Sequence, residues 1–264
     1  MKRSRFPFVM TGVVLVFFYL PILILVVESF NSSRFGGAWR GFSLRWYGRL
    51  FHEPAIWESA RNTLLIAVVV TFISLALGTT AALALHRFGR SRLQRVHYTL
   101  VYTPLVVPEI LMGISLLMAF VAAGVSLGLG TIVLAHVTFC ISYVALTVLG
   151  RLQDFDFAII EAARDLGATG WTATRRVLLP MLAPGLAAAG LIAFTLSVDD
   201  FVITFFVAGP GATTLPIRVY SMIKHGATPL INALSTLLLA LTFGTVLVSQ
   251  HLTASKAIQS IPPE

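Results

Sequence analysis

Charge is scarce in this sequence. Only 11% of its 264 residues are Asp, Glu, Lys or Arg, where soluble domains carry roughly a quarter, and an ordinary water-soluble enzyme is thereby excluded. Lysine is scarcer still. Lys2, Lys224 and Lys256 follow Met1, Ile223 and Ser255, so no Gly-Lys pair exists and a G-x-x-x-x-G-K-[ST] phosphate loop is ruled out. A single cysteine, Cys140, lies in an apolar run. It allows neither an intrachain disulfide nor a thiolate metal site, which leaves core packing. The six histidines, His52, His86, His97, His136, His225 and His251, lack H-E-x-x-H or any other ligand spacing. Loop solvation is expected for them and, for His136, an interhelical hydrogen bond. Gly124-Val125-Ser126-Leu127-Gly128 spells the G-x-S-x-G nucleophile pattern, but without the strand-turn-helix setting that pattern needs, and a plain turn is expected.

What the chain does have is apolar length: 57% of it is hydrophobic. Its net charge of +8 is read with those apolar runs, as a match for an anionic membrane surface rather than nucleic acid. A membrane-crossing helix needs roughly 20 residues. Six runs reach that length, at about 8–27, 63–85, 98–121, 129–149, 184–207 and 231–252. The expected fold is an all-α membrane protein, six transmembrane helices in a single domain over 1–264. No repeat of 20 to 50 residues is evident. With the N-terminus inside, the inner segments hold twelve basic residues and the outer ones seven, a bias favouring N-in and C-in. Trp39, Trp46, Tyr47 and Trp57 in the first outer loop suit an interfacial belt, and equally a short segment lying on the membrane surface.

Charge returns in the inner loop at 150–180. Asp154 and Asp156 stand where they can cap a helix, Phe157 to Leu166 reads as that helix, and Gly167 as its left-handed stop. Thr169 is placed to cap a second short helix ending before Pro180. On the first helix Glu161, Arg164 and Asp165 form a charged side, Phe157, Ile160 and Leu166 an apolar one, and Ala162 with Ala163 a low surface. Such a helix is a docking element or lies on headgroups.

Here the residues resemble a family. Glu161-Ala162-Ala163, then Gly167, Val177 and Leu179-Pro180 are similar, in type and spacing, to the EAA loop of binding-protein-dependent ABC transporter permeases, with Val177 where isoleucine is usual. The resemblance implies a type I ABC importer permease fold, with the loop helix as a coupling helix seated on a separate ATP-hydrolysing subunit. It implies that Glu161, Ala162, Ala163, Asp165 and Gly167 face that ATPase. No cofactor is then expected in this chain, since ATP and Mg would sit on the partner, and the chain is a non-catalytic inner-membrane subunit.

Three acids fall within the expected spans: Glu109, Asp199 and Asp200. Such groups face a protein interior or an aqueous path. They read either as a path for an ammonium group or as interhelical hydrogen-bonding partners, with Arg61 and Asn62 available to pair with them. Adjacent residues point about 100° apart on a helix, so at least one of Asp199 and Asp200 is expected to have a structural partner. The stretches around these acids extend the resemblance. Asn31-Ser32-Ser33-Arg34-Phe35, Trp46-Tyr47, Pro108-Glu109-Ile110, 136–140, 194–200, Leu215-Pro216 and Tyr220-Ser221-Met222 are similar to one branch, the C-type spermidine/putrescine permeases. That branch implies polyamine import with a second permease, two ATPase copies and an extracytoplasmic binding protein. Related branches carry opines, thiamine or iron. A rival reading is a proton-coupled secondary transporter, expected to show inverted repeats and discontinuous helices, neither evident in the sequence. A membrane scaffold or sensor docking a partner through the loop is a further one.

Overall fold

The computed structural model describes residues 6–34, 37–87, 92–224, 226 and 229–259, with side chains to 244 in the last stretch. Lys2, Arg3, Arg5, Phe35, Arg90 and His225 lie outside the described residues, as do the side chains of His251 and Lys256. The described chain is almost wholly helical, apart from loops and one isolated antiparallel bridge, Asn31 to Phe42. In order the helices are α1 (Phe6–Glu28), α2 (Arg45–Phe51), α3 (Pro54–Arg87), α4 (Arg92–Val106), α5 (Glu109–Ala122), α6 (Leu129–Gln153), α7 (Ala158–Asp165) and α8 (Gly170–Ala173). A π-helical turn (Thr174–Leu178) then leads into α9 (Leu179–Asp199), α10 (Val202–Val207), α11 (Leu215–Lys224) and α12 (Pro229–Gln259). Four described helical runs are long and apolar enough to cross a membrane: α1, α3, α6 and Gly170–Asp199. The pair α4 and α5, bent by 111°, makes a fifth if it counts as one. The expected run at 231–252 lies within α12, whose described apolar part ends at Gly244.

The chain divides into two compact units, Met1–Ile56 with Val219–Glu264, and Trp57–Arg218. In the first, α12 packs on α1 and α2. The loop after α1 is fixed by one side chain. Asn31 Oδ1 accepts from the amides of Ser33 (3.0 Å) and Arg40 (3.1 Å), while its Nδ2 donates to Glu28 Oε2 and the Ala38 carbonyl. The Asn31 carbonyl in turn accepts from Trp46 Nε1 at 2.8 Å. With Asn31 fully buried, these bonds replace the water it has lost.

In the second unit α6 is the central helix, burying Ile132, Ala135, Cys140, Val144, Val148 and Leu152 against Leu182, Ala189 and Ala193 of α9. Cys140 takes the core role expected of it, its Sγ 3.7 Å from the Ala193 carbonyl.

Two expected spans are interrupted, so discontinuous helices exist where the sequence showed none. The run 98–121 breaks between α4 and α5 at Pro108. Proline lacks an amide donor and disfavours helical geometry in the residue before it. The run 184–207 breaks after Asp199, where Asp200 turns extended (ψ 124°). At the other end, Thr169 caps as expected, its Oγ1 accepting from Thr172 N, but the second loop helix does not stop before Pro180. It passes through the π turn into α9, and a wider turn there accommodates the proline ring and its missing donor.

Candidate functional site

The break between α9 and α10 is held by a buried polar cluster. Asp200 Oδ2 accepts from Thr204 N (2.8 Å) and Thr204 Oγ1 (2.6 Å), and Oδ1 accepts from Ile203 N (3.3 Å). These are the donors that a new helix start leaves unpaired, so a carboxylate here stops one helix and begins the next. From α6, fully buried His136 places Nε2 3.1 Å from Asp200 Oδ2 and 2.9 Å from Thr204 Oγ1, and Nδ1 2.8 Å from Ser197 Oγ. A neutral imidazole protonated on Nε2 satisfies this arrangement: it donates to Asp200 and accepts from the Ser197 hydroxyl. Asp200, with its side chain 6% exposed, is thus the aspartate with the structural partner, and His136 makes the interhelical bonds expected of it.

Asp199 is exposed, as is Glu109 on the first residue of α5. The two breaks lie at neighbouring levels of the unit. Gly113, one turn along α5 from Glu109, sits so close to Phe206 and Ile203 of α10 that a Cβ there would meet the Phe206 ring at 2.7 Å. At its far end α10 meets the start of α6, where Thr131 Oγ1 donates to the Val207 carbonyl (2.8 Å). The half-helices α5 and α10 thus pack on one another, each opening at an acid. Arg61 and Asn62 do not pair with these acids. Arg61 is exposed, and Asn62 Nδ2 donates to the carbonyls of Gly211 (3.3 Å) and Thr213 (3.1 Å). It ties down the turn after α10, where Gly211 adopts φ +76°.

The second region is the 150–180 loop. Asp156 Oδ1 accepts from Ala158 N at 3.0 Å and so starts α7, whereas Asp154 caps the end of α6. Gly167 has φ +92°. Its amide donates to the Arg164 carbonyl (2.8 Å) and that of Ala168 to the Ala163 carbonyl (3.0 Å), the paired bonds of a Schellman stop. Glu161, Ala162, Asp165 and Gly167 are exposed and Ala163 half-buried. Phe157 and Ile160 pack into the core as the apolar side, but Leu166 does not. Leu166 is 90% and Trp171 71% exposed, because the glycine turn swings residue 166 away from the inner face of α7. Behind α7 lies a 450 Å³ cavity lined in part by Leu83, His86, Arg87, Ile160 and Glu161, with His86 stacked on Phe157 at 4.7 Å.

The G-x-S-x-G stretch is a connection between α5 and α6, with Gly124 at φ +68°. No cluster of His, Cys, Asp or Glu among the described residues is arranged to hold a metal. Ser197 and Thr204 escaped the sequence reading. Their signal was Ser197, Asp200 and Thr204 at spacings of three and four within an apolar run.

Comparison with known proteins gives the same direction throughout. The family described as "Binding-protein-dependent transport system inner membrane component" matches residues 74–255. The chain is 40% identical over 240 residues, 91% of its own length and 90% of the relative's, to the spermidine/putrescine transport system permease protein PotC of Escherichia coli (strain K12). It is 44% identical over 243 residues (90% and 86%) to the putrescine transport system permease protein PotI of the same organism. Among solved structures, a chain of a bacterial ABC transporter involved in the import of the acidic polysaccharide alginate superposes with TM-score 0.73. That match covers 95% of this chain and 98% of the other at 17% identity, a likeness of fold.

Proposed function

The chain belongs to the family of binding-protein-dependent transport system inner membrane components, the permease subunits of ABC importers, and we propose that the solute it carries is a polyamine, spermidine or putrescine. The observation that carries the reading is the high identity, over nearly the full length, to two polyamine permeases. The broken helices agree with it chemically. Asp200 neutralises the positive start of α10, while the last carbonyls of α9 and the Asp199 carboxylate remain as a negative end. Glu109 adds a second carboxylate at the neighbouring break. Ammonium groups joined by a flexible chain suit two such stations. Glu109 and Asp199 are therefore assigned to the path, and Asp200 to holding the break open.

In this proposal ATP and Mg bind a separate ATPase pair, and this chain, with a second permease, forms the conduit. Closure of the ATPases moves the Glu161 to Gly167 segment, with Ala162, Ala163 and Asp165 against them, and rocks spans three to six between inward- and outward-open states. The N-terminus and the 150–180 loop are cytoplasmic, and residues 31–57 and 209–229 meet the loaded binding protein. Support for docking through the loop is its exposed apolar tip, Leu166 and Trp171, on a rigid stop.

The test is uptake of labelled putrescine and spermidine by the reconstituted complex with its binding protein, alongside ATPase activity. Asp199→Asn and Glu109→Gln are assayed separately. Full uptake and unchanged coupling in both returns these acids to scaffolding, and a cognate binding protein holding an opine, thiamine or iron instead of a polyamine refutes the solute. The broken helices also suit a proton-coupled carrier. Uptake by this chain alone in vesicles under a proton gradient would establish that reading instead.

A further inference from the structure

We propose that His86 is a positioning residue of the coupling step: its ring, stacked on Phe157, passes the displacement of α7 to the C-terminal end of α3, and from there to α4 and the break that carries Glu109. The inference rests on the 150–180 loop being the coupling element, and it adds the route by which motion of that loop reaches the spans.

Phe157 moves with α7. Its carbonyl accepts from Ile160 N (2.9 Å) and Glu161 N (3.2 Å), and the Asp156 side chain fixes the turn that precedes the helix. Its ring meets Phe155, just past the end of α6, edge-on at 4.9 Å and 69°, and lies nearly flat on His86 at 4.7 Å and 15°. One ring thus touches both the stretch leaving α6 and the last turn of α3. Beside the stack, the 450 Å³ cavity is lined by Leu83 and Arg87 of α3 and by Ile160 and Arg164 of α7. The two rings therefore bridge α3 and α7 at the edge of a gap, not within a continuously packed face.

The end of α3 is built to carry such a push onward. At Gly78 the helix lies so close to α6 that a Cβ would fall 2.6 Å from Val144 Cγ1, which pins α3 at that level. From Gly78 to His86 the helix rises about 12 Å, a short arm with the ring at its tip. The arm is tied to α4: Gln94 Nε2 donates to the Leu85 carbonyl (2.9 Å), and Leu85 and Val101 share a small buried cluster with Ala145 of α6. α4 in turn leads to Pro108 and to Glu109 at the start of α5. Close-packed contacts of this kind shift as units when one end is displaced.

The test is the amount of labelled putrescine taken up per ATP hydrolysed by the reconstituted complex with its binding protein, assembly being checked by size exclusion. His86→Ala and His86→Asn are expected to lower that ratio between about 2- and 12-fold, the range that one aromatic pair is worth, while the complex assembles and hydrolyses ATP without the binding protein as the wild type does. His86→Phe, which keeps a flat ring, should recover most of the loss. Phe157→Leu should act like His86→Ala, and the two together should fall no further than either alone, since both remove the same contact. Losses that multiply in the double variant, or phenylalanine no better than alanine, overturn the proposal in favour of separate structural roles. Gly167→Leu in the same assay distinguishes the two levels of the reading. A loss of coupling there with none in His86→Ala overturns this route and leaves the docking role of the loop standing; no loss in either overturns both.

Discussion

Gly167→Ala separates backbone geometry from every other property of the loop. Gly167 sits at φ +92°, and a Cβ there meets nothing within 4 Å, so the substitution introduces no clash inside this chain. What it introduces is the cost of a left-handed conformation for a residue with a side chain, about 1–2 kcal/mol. The two bonds that close the stop, from Gly167 N and Ala168 N, are retained only if that cost is met. Otherwise the tip carrying Leu166 turns elsewhere. A change of this size shifts the ratio of native to altered tip roughly 5- to 30-fold. Putrescine uptake and binding-protein-stimulated ATPase activity are expected to fall together, by at most that factor, with the complex still assembled. Gly167→Asn should recover much of the loss, since asparagine visits this region more readily. Gly167→Leu should match alanine if backbone geometry is the cause, and fall further only where a partner surface crowds the added side chain. Alanine at the wild-type rate, or asparagine no better than alanine, refutes the reasoning.

His136→Leu should lower the thermal midpoint of the solubilised complex sharply. It removes one of the donors to the buried Asp200 carboxylate, and a hydrogen bond to a charged group is worth about 1.5–3 kcal/mol; an unchanged melt would contradict the cluster's role. Asp200→Asn should destabilise in the same assay whereas Asp199→Asn should not, because only Asp200 caps α10. Equal effects would remove the distinction drawn between them. Asn31→Ala should expose the first loop to limited proteolysis, since the amides of Ser33 and Arg40 lose their acceptor, at about 1–3 kcal/mol for the buried Ser33 amide. Cys140, fully buried, should resist maleimide in the folded protein and react after denaturation; labelling of the native protein would place it on an open path.

Apolar length was enough to place α1, α3 and α6, because an apolar run of about 20 residues has few other uses. The loop at 150–180 was legible for a different reason. A glycine between two helical stretches, with a capping aspartate and threonine, specifies its geometry locally, and Asp156, Gly167 and Thr169 do as their chemistry requires. The breaks were not legible, because hydropathy counts apolar residues and is blind to the backbone. Pro108 was visible but equally consistent with a kinked span, as Pro104 is within α4. Asp200 was recognised as costly in a membrane, yet its donors are the amides of Ile203 and Thr204, which exist only once α10 has begun. Its other partner, His136, is 64 residues away, a distance no local pattern crosses. Leu166 was misplaced because the helical wheel was extended one residue past the point where the glycine turn ends it.

The arrangement at 199–204 has a consequence for selectivity that an unbroken helix cannot supply. In a continuous helix the carbonyls of 196–199 would accept from amides four residues on, and two adjacent aspartates would diverge around the axis. Breaking the helix after Asp199 ends the regular carbonyl ladder there and gives the two carboxylates different surroundings, Asp200 half-buried and Asp199 exposed. Asp200 is occupied by α10, Thr204 and His136, so the positive end of the second helix is cancelled from within. The negative end of the first helix has no such compensation from this cluster, and Asp199 stands on it. In the proposed path, the field at the break would favour a cation even though the chain as a whole carries a net charge of +8. Removing Asp200 would not simply delete one negative charge; it would uncover the amides of α10 and reverse the sign of the nearer helix end.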